Sequence, residues 1–134
     1  MQKFLFVILA GMVFVLTACG EAGQSKIVEA PDAIPAEYAG KSNPLDADSA
    51  SPGADLFKSY CSPCHGESGH GDGPAAAALY PAPKNLAEFQ TQVGDDYLFW
   101  RINTGKAGTS MVAWKGTLTE EQIWQIITFL RTLK

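Results

Sequence analysis

Cys61-Ser62-Pro63-Cys64-His65 puts two thiols and an imidazole at the spacing that holds a covalently attached haem. Each thiol adds to one of the porphyrin's two vinyl groups to give a thioether, and the adjoining imidazole binds the iron from its proximal side. Other chemistries also use cysteines at this separation. Zinc needs four ligands, and past the N-terminal leader the chain offers only Cys61, Cys64, His65 and His70, crowded together without separated pairs. A thioredoxin-like pair belongs at the end of a strand in a βαβ unit, and no Val/Ile-rich run precedes Cys61. A disulfide across two intervening residues would stabilise little and would leave His65 unexplained. Haem is the reading that uses all three side chains.

An iron held by His65 has a second face. Past the leader the chain contains one methionine, Met111, and one further histidine, His70. Met111 lies in the glycine-rich stretch from Gly105 to Trp114, between two expected helices, where a loop can drape a thioether over the distal face. His70 follows His65 too closely to reach the opposite side of the ring with ease. Met111 is therefore the expected second ligand, with His70 or an open iron as the alternatives. Arg101 and Trp114 are candidates for the haem propionates, as a charge partner and an indole N–H donor. The competing readings are a solvated helix residue for Arg101 and plain packing for Trp114.

The elements that must position these residues begin with a segment outside any domain. Lys3 and the apolar run from Phe4 to Leu16 have the pattern of a secretory signal, too short to span a bilayer with ease. Leu16-Thr17-Ala18-Cys19 resembles a bacterial lipobox, which implies a leader over residues 1–18 and a lipid on Cys19. Gly20 follows where Asp would retain a lipoprotein in the inner membrane of a diderm, so it favours outer-membrane sorting. The cysteine count then closes: of three, one takes lipid and two take haem. Residues 19–50, rich in Ala, Pro, Ser, Gly and acidic side chains, read as a flexible tether, the alternative being an ordered strap on the domain. The net charge of −4 and the lack of a basic cluster argue against nucleic acid as a partner.

The domain is expected over residues 51–134. Ser51 reads as an N-cap with Pro52 at the first helical position, and Gly53, Leu56, Phe57, Tyr60, Cys61 and Cys64 share one helical face. A short helix is expected over residues 74–80, opened by Pro74 and filled with alanine. Another starts at Asp95 as its cap and is closed by Gly105. Thr119 and Gln122 form a capping box, with Leu118 stapling against Ile123. Ile123, Ile126, Ile127 and Leu130 then repeat at helical spacing, so this last helix should pack across the first, with Gly53 permitting close approach near Phe129. No confident strand appears from Ser51 to Lys134.

Taken together, Cys61-x-x-Cys64-His65-Gly66, Gly69-x-Gly71-Asp72-Gly73-Pro74, Leu79-x-Pro81-x-Pro83-x-Asn85-Leu86, Gly108-Thr109-x-Met111-x-Ala113-Trp114 and a Trp/Phe-bearing C-terminal helix resemble the class I monohaem cytochromes c of bacterial respiratory chains. The resemblance covers nearly all of residues 51–134. It implies an all-α fold around one covalently bound haem c, His65 and Met111 as axial ligands, and electron transfer as the activity. It also implies that a proline carbonyl accepts the second N–H of His65, with Pro83 preferred over Pro81. One departure is Val112, where the family commonly has proline after the methionine; valine lacks the fixed φ that would stiffen the loop.

The combined expectation is a monomeric carrier that is not itself an enzyme. It is tethered by lipid outside the cytoplasm, on the outer face of the cell membrane or at the outer membrane or periplasmic side of a diderm. Its partners are redox proteins in or near that membrane. The alternatives are a fixed haem subunit of an oxidase or dehydrogenase, and a gas-binding sensor should Met111 leave the iron open.

Overall fold

The computed structural model describes residues 31–134, so the leader (1–18), Cys19 and residues 20–30 lie outside the described residues. Helices α1 (Ala50–Tyr60) and α5 (Glu120–Leu130) share the most extensive helix–helix contact in the domain. α5 opens in the expected capping box: the Thr119 hydroxyl accepts from the Gln122 N–H at 3.2 Å, and the Gln122 side chain accepts from the Thr119 N–H at 2.9 Å. Two N–H groups that lack helical partners are thereby satisfied. Ile123, Ile126, Ile127 and Leu130 form a fully buried stripe, with Leu118 in the same core cluster. Gly53 explains how closely α1 lies on it. A Cβ there would collide with the Gln125 carbonyl and stand 3.1 Å from the Phe129 Cβ.

α1 starts earlier than the sequence suggests. Its N-cap is Ser49, preceded by a 3-10 turn over Ala47–Ser49, and Pro52 falls at the third helical position instead of the first. The missing proline N–H costs nothing there, because first-turn donors have no helical acceptor. α1 also ends at Tyr60 instead of running on through Cys64. Pro63 has no N–H to carry the α1 hydrogen-bond ladder onward, but it is tolerated in a first turn, so a new turn, α2 (Ser62–His65), begins after Cys61.

The alanine-rich segment forms only a 3-10 turn, Ala76–Ala78, and not a helix over 74–80. Leu79 is already extended, and Pro81 biases Tyr80 away from the helical region. A short helix α3 (Leu86–Phe89) follows, capped by the Asn85 side chain, which accepts from the Glu88 N–H. α4 (Asp95–Thr104) is capped by Gly94, with Asp95 inside its first turn. The Asp95 carboxylate instead accepts two bonds from Arg131, at 2.9 and 2.7 Å, which ties the end of α5 to the start of α4. Among the described residues there is no strand, and no helix is long and apolar enough to cross a membrane. The fold is all-α, as expected.

Residues 32–49 correct the expectation of a flexible tether reaching residue 50, because they are laid along the helices as a strap. Tyr38 and Leu45 pack on the core cluster. The Asn43 amide donates to the Trp124 carbonyl at 3.1 Å and to the Thr128 hydroxyl at 2.9 Å, while its oxygen accepts from the Leu45 N–H at 3.0 Å. The Tyr38 hydroxyl accepts from Asn103 at 3.0 Å, and the Gly40 N–H donates to Asp96 at 3.0 Å. Two apolar anchors and a few well-placed polar ones offset the ordering entropy of a segment whose average composition suggests disorder.

Candidate haem-binding site

The break between α1 and α2 sets the attachment geometry. The Cys61 carbonyl accepts from both the Cys64 and His65 N–H groups, at 3.2 and 2.9 Å, so one tight turn carries both thiols and the imidazole. Neither thiol is in a disulfide. Burial, with a smaller contribution from Cys64 nearby, pushes the Cys61 thiol up to about 12. A thiol in that state is almost entirely protonated at neutral pH. Among the described residues, no group of three or more His, Cys, Asp or Glu side chains is arranged to hold a metal ion.

The returning chain then closes over α2. The N–H groups of Gly71, Gly73 and Ala75 donate to the carbonyls of His65, Cys64 and Pro63, at 2.8, 3.2 and 2.9 Å. Each satisfies a carbonyl that the short helix leaves open. The same closure holds His70, exposed, within a turn of the His65 backbone.

His65 itself is oriented by a carbonyl, but not a proline one. Its Nδ1 lies 3.1 Å from the Lys84 oxygen. A carbonyl can only accept, so Nδ1 carries the proton and Nε2 keeps its lone pair for a metal. Pro83 was the expected acceptor; its carbonyl is instead turned toward Gly71, where a Cβ would stand 2.5 Å from it. Burial lowers the affinity of His65 for a second proton, and the Lys84 bond only partly offsets this. The imidazole is thus neutral, aimed and ready to ligate.

Met111 sits in a loop held by its own backbone. The Lys106 N–H donates to the Met111 carbonyl at 3.0 Å, and the Met111 N–H donates to the Thr109 hydroxyl at 3.1 Å. The Thr109 hydroxyl in turn donates to the Lys106 carbonyl at 2.8 Å. At the loop's far end the Trp114 N–H reaches the Ile102 carbonyl at 3.0 Å. Gly105, at φ +70°, lets the chain double back so tightly that a Cβ would lie 2.5 Å from the Met111 oxygen. Hydrogen bonds therefore restrain the loop where Val112, 59 % exposed, does not.

The two propionate candidates differ in their surroundings. Arg101 is no solvated helix residue: it stacks on Trp100 with 3.7 Å from guanidinium to ring centroid. It donates to the Asp32 carboxylate, to the Gly105 carbonyl at 3.4 Å and to the Tyr97 hydroxyl at 3.3 Å. Trp114 lies edge-on to Tyr60, with ring centroids 5.2 Å apart. Asp32 and Lys84 are site residues that sequence reasoning missed. A main-chain acceptor has no side-chain signature, and Asp32 sits in a stretch whose composition reads as tether.

The donor set fits haem c. Two reduced thiols flank an imidazole whose Nε2 is unencumbered, and a thioether sits in a restrained loop. Among the described residues, Tyr60, Tyr80 and Val112 are the exposed large apolar side chains, and they belong to the three segments that carry or support these donors. A helical domain with this site is a c-type cytochrome domain, with covalently bound haem c and a role in electron transfer. The chain belongs to the family described as cytochrome c oxidase, cbb3-type, subunit III, whose model matches residues 48–130.

Among solved structures, a chain of the Kuenenia stuttgartiensis reducing HAO-like protein complex Kustc0457/Kustc0458 is 29 % identical at a TM-score of 0.54. That match covers 60 % of this chain and 40 % of that one. The KustC0563 c-type cytochrome is 27 % identical at a TM-score of 0.51, over 61 % of this chain and 96 % of that one. Cytochrome CL from the marine methylotroph Methylophaga aminisulfidivorans is 31 % identical at a TM-score of 0.48, over 66 % and 57 %. The chain thus spans less than two thirds of the first and the last of these proteins. No curated protein matches it.

Proposed function

We propose that this protein is a lipid-anchored one-electron carrier that works outside the cytoplasm, passing electrons between redox proteins of the same membrane. When bound, the haem supplies the Fe(II)/Fe(III) couple. Cys61 and Cys64 would hold it as thioethers, and His65 Nε2 and the Met111 sulfur would ligate the iron. A neutral thioether favours the reduced metal. Arg101 and Trp114 would serve the propionates, Arg101 sharing its guanidinium with Asp32. Lipid on Cys19 would keep the domain close to its membrane and raise its effective concentration for partners there.

The observation that supports this reading best is the His65–Lys84 bond, which fixes the tautomer an iron ligand needs. Voltammetry of the holoprotein tests it: a reversible one-electron wave is expected, and a protein that cannot be cycled refutes the carrier. The family description favours a second reading, a haem subunit fixed in an oxidase or dehydrogenase complex. Extraction in mild detergent separates the two, because a fixed subunit leaves with its complex and a carrier leaves alone.

A further inference from the structure

We infer that Asp32 is a positioning residue for the Met111 loop, latching it through Arg101 and Lys106; the inference rests on Met111 being the second iron ligand. Asp32 lies in the strap, outside residues 48–130 that the family model matches. Its carboxylate accepts from Arg101 Nη2 and pairs with Lys106 Nζ at 3.3 Å. Each of these cations grips the loop by a different bond. Arg101 Nη1 donates to the Gly105 carbonyl at 3.4 Å, where the loop leaves α4. The Lys106 main-chain N–H donates to the Met111 carbonyl at 3.0 Å.

The loop needs such a latch. Gly105 and Gly108 both hold positive φ, +70° and +75°, and around Gly108 a Cβ would meet nothing within 4 Å. Val112 supplies none of the rigidity that a fixed φ would. Arg101 and Lys106 are like charges close enough to share one carboxylate, so without Asp32 their repulsion would push the loop's first residues from α4. Asp32 is held in place in turn, since the strap is pinned by the Tyr38–Asn103 and Gly40–Asp96 bonds, both 3.0 Å. The strap thus couples a segment outside the family's common core to the residue that sets the iron's second ligand.

The test compares the wild-type holoprotein with Asp32→Asn, Asp32→Glu and, as a charge-matched control on the same strap, Glu37→Gln. Two readouts are taken: amide hydrogen exchange at Lys106, Thr109 and Met111, and the imidazole concentration that displaces the sulfur-to-iron charge-transfer band. Asp32→Asn should speed exchange at those amides while α5 amides stay unchanged. It should also lower the imidazole requirement about two- to fivefold, the range of a partly exposed ion pair. Asp32→Glu should restore both, and Glu37→Gln should alter neither. Unchanged exchange and displacement in Asp32→Asn would overturn the latch, as would an equal effect of Glu37→Gln or a uniform rise in exchange across the domain. A wild-type holoprotein without the charge-transfer band would refute ligation by Met111 instead, with exchange still deciding whether Asp32 holds the loop.

Discussion

His65 uses one ring nitrogen to aim the other, and that division of labour has a pH consequence. Burial keeps its affinity for a second proton below the ordinary 6.5, so the folded protein binds that proton less readily than the unfolded chain. Stability is therefore whole above 6.5 and declines as the pH falls below it, until the folded imidazole itself protonates. Ligation at Nε2 acts in the same direction. The thermal midpoint of the holoprotein should fall as the pH drops below about 6.5; a flat profile there would count against a buried neutral His65. Met111→Ala should abolish the charge-transfer band and let the reduced iron take up carbon monoxide, and a variant that stays inert to the gas would mean another group occupies that position. Cys61, Cys64 and His65 stand out as candidates in the sequence because they are clustered, and Met111 because it has few rivals in composition. Lys84 does not, since any residue type offers the same carbonyl and only the folded register selects it. Pro83 was the family's suggestion, and the register differs by one residue.

At the level of elements, the contact between α1 and α5 carries the domain. Gly53→Ala would force the Gln125 carbonyl and Phe129 away, and overpacking of this sort costs about 1–3 kcal/mol. Guanidinium unfolding of the holoprotein measures it, and an unchanged midpoint would mean that the helices are further apart than described. Removing the Thr119 cap by Thr119→Ala should cost about 1 kcal/mol in the same assay. Asn43→Ala leaves Thr128 and the Trp124 carbonyl without their strap partner and should cost about 1–2 kcal/mol. α5 was legible because cap, staple and apolar period agree. The helix expected over residues 74–80 failed because alanine propensity is weak beside the constraint that Pro81 places on its neighbour. The strap was hidden for a related reason: composition averages over a segment, whereas Tyr38, Asn43 and Leu45 act one at a time.

The molecule as a whole reads as a small helical frame with its chemistry gathered on one inter-helix turn and two loops. Its apolar core lies between α1, α4 and α5, while Tyr60, Tyr80 and Val112 remain exposed on the segments that bear or support the haem donors. A covalently bound haem would supply apolar bulk that a domain of this size otherwise lacks. The all-α class was legible from the absence of strand patterns and from the capped, periodic α5, and the candidate site rests on a five-residue motif. How the strap bears on Met111 was not, because that connection passes through side chains distant in sequence. The most direct measurement is the absorption spectrum and intact mass of the protein made in cells with a haem-attachment system, taken after denaturation. One haem should stay on the chain with a c-type α band, and should be lost when both Cys61 and Cys64 are replaced by serine. A colourless chain, or haem that acid extraction removes from the wild type, would contradict the account.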